Sequence, residues 1–89
     1  MKQIFETSKF RKDLKRAKKQ GKDLTRLKEV IATLAKDENL GTKFRDHSLV
    51  GNWKDSRECH IESDWLLIYR KSEDGLYLER LGSHSGLFN

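Results

Sequence analysis

The stretch RECHIESDWLLIYRKSEDGLYLERL, residues 57–81, decides the fold. Arg57, Cys59 and Ile61 alternate with Glu58 and His60, the period of two that sends successive side chains to opposite faces of a strand. Glu62, Ser63 and Asp64 form a tight polar connection. Residues 65–70 are apolar on both faces and read as a central strand. Asp74-Gly75 is a strong hairpin signal, leading into a further strand over residues 76–81. Gly82 then releases the chain into a C-terminal tail closed by Leu87 and Phe88. A meander of this kind gathers side chains that are far apart in sequence onto one surface.

Working outward, residues 2–5 (KQIF) are short and lack helical period, which suits a first strand. A Thr7 or Ser8 cap opens a helix whose apolar stripe is Phe10, Leu14 and Ala17. Gly21 can take the left-handed conformation that ends it, and Asp23 can cap a second helix directly after. There Leu24, Leu27, Ile31 and Leu34 repeat on one side, widened by Val30 and Ala35. Asn39 and Gly41 end it. Residues 42–56 read as a connecting loop anchored by Phe44, Leu49 and Trp53, with Gly51 allowing a turn that tucks Trp53 under the sheet. The expected architecture is α+β. One domain, residues 1–89, carries an N-terminal strand and a two-helix hairpin packed on a mainly antiparallel sheet of about four strands.

A chain of 89 residues removes only roughly 60 to 65% of its unfolded surface from water. With 35% hydrophobic and 37% charged residues the core must be thin. The lone Cys59 can form no internal disulfide to reinforce it, and on the side of Ile61 it reads as a small buried hydrophobe. No apolar run approaches a membrane span and the N-terminus lacks the apolar core of a signal peptide, so the expectation is a cytoplasmic protein with no membrane partner. The net charge of +5 is unevenly spread. Residues 1–45 hold 14 Lys and Arg against 6 Asp and Glu, whereas residues 46–89 hold 5 against 8. Lys12, Lys15, Lys18, Lys19 and Lys22 therefore suit a polyanionic partner, nucleic acid or acidic protein, or else form a solvated helix face.

The acidic half holds the chemistry. His47, His60 and His84 all lie there, with Arg57, Glu58, Asp64 and Arg80 between them. Paired cysteines, HExxH and phosphate-binding glycine loops are all missing, so no metal and no cofactor is expected, although three histidines with Asp46 and Asp64 could still meet around zinc. The remaining set suits cleavage of RNA. The 2′-hydroxyl must lose a proton, the leaving 5′-oxygen must gain one, and charge on phosphorus must be stabilised. Histidine and carboxylate can move the protons and arginine can hold the phosphate in a two-bond fork. Structural alternatives stay open: a turn or surface role for His47, an exposed strand position for His60, a cap for Asp64. Glu58 either orients His60 or is a solvated charge, while Trp53, Trp65, Tyr69 and Tyr77 read as packing. Strict alternation would send Leu76 and Leu78 to the face of Arg80, unless a bulge near Leu81 turns Arg80 outward.

Asp46-His47-Ser48-Leu49-Val50-Gly51-Asn52-Trp53, Arg57-Glu58-Cys59-His60-Ile61, Asp64-Trp65-Leu66-Leu67-Ile68-Tyr69 and Glu79-Arg80-Leu81-Gly82-Ser83-His84-Ser85 with Leu87-Phe88 together resemble the YafQ branch of the RelE/ParE toxin superfamily. The resemblance covers nearly the whole chain. It implies a type II toxin that cuts messenger RNA within a translating ribosome and is restrained by a cognate acidic antitoxin of RelB/DinJ type. It also implies acid/base roles for His47, His60, Asp64 and His84, phosphate binding by Arg80, and a terminal aromatic, Phe88, near the substrate. Ser63 departs from the pattern, standing where a proline is expected before the aspartate, which leaves the Asp64 turn less rigid. Two other readings compete: a ParE-like toxin that binds DNA gyrase without catalysis, and a non-toxic nucleic-acid-binding module. The histidine-rich half argues against the first, since a pure binder needs no acid/base groups.

Overall fold

The computed structural model describes residues 1–88, so the last residue of the expected domain lies outside it. In chain order it holds β1 (Gln3–Glu6), α1 (Ser8–Lys19), α2 (Thr25–Ala35), β2 (His47–Ser48), β3 (Arg57–Glu62), β4 (Trp65–Lys71), β5 (Gly75–Gly82) and α3 (His84–Phe88). Single-turn 3-10 helices occupy Thr42–Phe44 and Gly51–Trp53. The sheet order is β1-β5-β4-β3-β2; β1 runs parallel to β5 and every other pair is antiparallel.

The α+β expectation holds, with five strands rather than about four. The additional strand is β2, only two residues long and too short to show a period within what reads as a loop. The first helix starts where its cap predicts, the Thr7 hydroxyl accepting from the Phe10 N–H at 3.0 Å. The second starts one residue later than an Asp23 cap would set it, with Leu24 at the N-cap, and an Asp23 carboxylate oxygen accepts from the Thr25 N–H at 2.9 Å in the turn before it. Gly21, at φ +76°, supplies the left-handed residue after α1. The Asp74-Gly75 turn forms, but Gly75 has no positive φ. Glycine is required there because a Cβ would meet the Phe5 ring at 2.6 Å, where Phe5 stacks on Tyr77.

Both helices cover one sheet face. Phe10 and Ala17 of α1 and Leu27, Val30, Leu34 and Ala35 of α2 bury against Cys59, Ile61, Leu67, Tyr69, Leu76 and Leu78. The opposite face carries a smaller cluster of Leu66, Ile68 and Leu87, edged by Leu49, Trp53 and Phe88. Trp53 does tuck under the sheet. The expected tail is instead a short helix, because Leu87 needs burial and the Ser83 hydroxyl accepts from the Gly86 N–H at 3.0 Å.

A bulge settles the parity of β5. Tyr69 pairs with Leu78 and Ile68 pairs with Arg80, so Glu79 is the extra residue. Leu76, Leu78 and Leu81 all reach the helix-side core, while Arg80 leaves it.

Candidate active site

Cross-strand register builds the first part of the site. His47 pairs with Glu58, Glu58 with Ile68, and Ile68 with Arg80, a row across four strands; Glu58 and Ile68 lie on the face away from α1 and α2, whereas Arg80, at the bulge, reaches Asp13 of α1, and His60 and Leu66 pair in the adjacent row. Glu58 is buried, its side chain 6% exposed, and is bracketed by two imidazoles. His60 Nε2 lies 3.4 Å from one carboxylate oxygen and His47 Nε2 lies 3.8 Å from the other. The two rings stand 6.4 Å apart between centroids. Each is steered from behind, His47 Nδ1 by the Arg45 carbonyl at 2.6 Å and His60 Nδ1 by the Ser63 carbonyl at 3.3 Å. Glu58 thus faces both rings and is no solvated charge.

The strand bearing His47 is pinned by Asp46, which accepts from the Tyr69 hydroxyl at 2.6 Å and from Arg57 Nε at 3.2 Å. Burial, with Asp46 second, pushes the Tyr69 hydroxyl pKa well up. Cys59 is fully buried and its thiol is pushed up to about 12 by that burial, which leaves it unreactive at neutral pH.

The turn of Ser63 and Asp64 links this part to the C-terminal helix. An Asp64 carboxylate oxygen accepts from the His84 backbone N–H at 3.0 Å. The His84 ring lies 5.0 Å from Phe88, tilted 44°, and Phe88 meets Trp53 edge-on at 6.3 Å. Contacts therefore run without a break from His47 through Glu58, His60, Ser63, Asp64 and His84 to Phe88. Among the described residues no ring contact joins His84 directly to His47 or His60.

Arg80 and Asp64 share a cleft of about 440 Å³ that Asp13, Arg16, Lys22 and Ser83 also line. Arg80 is held by Asp13, with Nε at 2.8 Å and Nη2 at 3.2 Å from its two oxygens. That contact raises the guanidinium pKa further. A second groove, about 330 Å³, brings Arg26, Lys43 and Arg45 beside His60.

The five expected lysines are all exposed, but only Lys22 lines the cleft, its ammonium 5.1 Å from the centre of the Trp65 ring. Asp13, Arg16, Ala17 and Gln20 make up the cleft-facing stripe of α1, so Lys12, Lys15, Lys18 and Lys19 lie around the other side. Sequence reasoning missed Arg16 and Asp13. Asp13 carried a readable signal, since it is the one acid in α1 and sits on the buried stripe between Phe10 and Ala17. Among the described residues no three His, Cys, Asp or Glu side chains are arranged to hold a metal ion.

The family model described as the bacterial toxin of type II toxin-antitoxin system, YafQ, matches residues 2–89. The mRNA interferase toxin YafQ of Escherichia coli strain K12 is 40% identical over 80 residues, spanning 89% of this chain and 87% of that protein. A copper-bound mutant toxin from Helicobacter pylori superposes with a TM-score of 0.96 at 46% identity, covering 99% of this chain and 100% of that one. The toxin of the E. coli DinJ-YafQ toxin-antitoxin complex does so with a TM-score of 0.92 at 37% identity, covering 99% and 98%. Since the family model spans residues 2–89 and a relative 40% identical is matched over 89% of this chain, the chain belongs to the YafQ family of bacterial type II toxin-antitoxin toxins.

Proposed function

We propose that the protein is an endoribonuclease, an mRNA interferase that cleaves messenger RNA on the translating ribosome in the cytoplasm and is restrained by a cognate acidic antitoxin. The observation that carries the reading is the run of contacts, through the Ser63 carbonyl and the His84 backbone N–H, that links His47, Glu58, His60, Asp64 and His84, with Arg80 in the adjoining cleft. The names of the relatives support it, one being an mRNA interferase and another being solved with its antitoxin DinJ.

The groups divide the reaction as follows. His60 removes the proton from the 2′-hydroxyl as that oxygen attacks phosphorus, and Glu58, 3.4 Å away, stabilises the imidazolium that forms. The bond from phosphorus to the 5′-oxygen breaks, and His84 returns a proton to that oxygen. Asp64 fixes the start of α3 and hence the base of the His84 side chain. Arg80 offers its N–H groups to the phosphate, and the Phe88 ring gives a base a surface to stack on. The products carry a 2′,3′-cyclic phosphate and a 5′-hydroxyl.

The test is cleavage of ribosome-bound messenger RNA with 2′-deoxyribose placed at the cut position. Cleavage of the natural message, its loss with the deoxy sugar, and a cyclic phosphate end are expected. Cleavage that survives the deoxy substitution would overturn the chemistry, and failure of DNA supercoiling before translation in induced cells would favour the gyrase-binding alternative.

A further inference from the structure

The Asp13 carboxylate faces Arg80 from α1, its side chain 5% exposed, and accepts from Arg80 Nε at 2.8 Å, Arg80 Nη2 at 3.2 Å and the Leu81 N–H at 3.0 Å. Every contact is local to the bulge. Among the described residues the strand β5 has no strand partner on its outer side beyond Leu78, because β1 ends at Glu6, opposite Leu78. The Thr7 hydroxyl caps α1 and donates to the Glu79 carbonyl at 2.9 Å, fixing the helix against the bulge. Asp13 then takes the N–H that the free edge leaves open at Leu81 and grips the guanidinium one residue before it.

Guanidinium has five N–H groups in a flat, rigid fork. Asp13 occupies the edge formed by Nε and Nη2, so the outer edge formed by Nη1 and Nη2 is turned away from α1. Arg80 lines the cleft that Asp64 and Ser83 also line. We infer that Asp13 is a positioning residue, which fixes the plane of the Arg80 guanidinium so that its outer edge meets the scissile phosphate. This rests on the reading that Arg80 is the phosphate ligand. The sign of the charge separates orientation from simple electrostatics. Asp13 is negative and lies beside the phosphate site, so by Coulomb attraction alone its removal would strengthen RNA binding. Orientation requires the opposite for the chemical step.

The experiment compares single-turnover cleavage on ribosomes by the parent, Asp13→Asn, Arg80→Ala and the double variant, with melting temperatures for each. Asp13→Asn is expected to slow the chemical step about tenfold or more, with KM unchanged or lower, and to have no further effect in the Arg80→Ala background. A folded Asp13→Asn that cleaves at the parental rate would overturn the inference, as would equal slowing in both backgrounds. Should Asp13→Asn fail to fold, nuclear magnetic resonance of the parent decides. The Arg80 Nε–H is expected to be protected from exchange and to stay in place when a 2′-deoxy dinucleotide binds; exchange as fast as in free arginine overturns the inference. Full cleavage by Arg80→Ala alone would refute the phosphate role itself and take the inference with it, whereas slow Arg80→Ala with fast Asp13→Asn removes only the inference.

Discussion

Asp64 and His84 are joined across twenty residues by one hydrogen bond, from the His84 N–H to an Asp64 carboxylate oxygen at 3.0 Å. The turn between β3 and β4 thus clamps α3, and the clamp needs an acceptor rather than a charge. Asp64→Ala is expected to slow cleavage about 10²-fold and to release protection of the His84 amide in hydrogen exchange. Asp64→Asn keeps an acceptor oxygen and should stay within about tenfold of the parent. Equal loss in both variants would show that Asp64 moves the proton itself.

Glu58→Gln keeps the shape between the imidazoles and removes the charge. The fold should survive, and cleavage should fall by about 10- to 10²-fold, because the imidazolium formed on His60 loses its counter-charge. Steady-state and single-turnover rates at saturating message measure this. A fully active glutamine variant would mean that the buried carboxylate only packs.

Tyr69→Phe tests the anchor of β2. Losing the hydroxyl to Asp46 should cost about 1–2 kcal/mol in urea unfolding. The pH dependence follows from the raised phenol pKa. The folded state holds the neutral form, while the unfolded chain releases its proton near roughly pH 10. This contribution is present in full below about pH 10 and is lost as pH rises toward the folded value. The parent should therefore lose stability more steeply above pH 10 than the phenylalanine variant; parallel curves would refute the linkage.

Replacing Lys12, Lys15, Lys18 and Lys19 with glutamine should weaken ribosome binding and flatten its salt dependence, with cleavage at saturation little changed. These side chains lie away from the cleft, and the role we propose for them is to hold the toxin on polyanionic RNA. Unchanged affinity and an unchanged salt slope would assign them to solubility or antitoxin binding.

The periods of α1, α2, β3 and β4 were legible because each repeats over enough residues to bury one face. The two-residue β2 repeats nothing, and α3 owes its existence to a distant partner, Asp64, and to burial of Leu87. Residue types pointed to His60, Arg80 and His84, since few other side chains move protons or fork onto phosphate. The bracketing of Glu58 depends on strand register, and the grip of Asp13 depends on a bulge at Glu79; neither is local in sequence. Arg80 was visible as a chemical group, and only the fold shows what aims it.

The pairing of β1 with β5 ties residues at the start of the chain to residues near its end, Gln3 to Gly75 and Glu6 to Leu78. During synthesis β1 has no strand to join until residue 78 has left the exit tunnel, and Arg80, Asp64 and α3 cannot be assembled before then. Nascent chains stalled after Lys71 should accordingly be digested by protease at concentrations that the finished chain resists. If, as we propose, the protein attacks translating ribosomes, it is in this way withheld from the ribosome still making it, because the last strand to be translated is the one that closes the sheet.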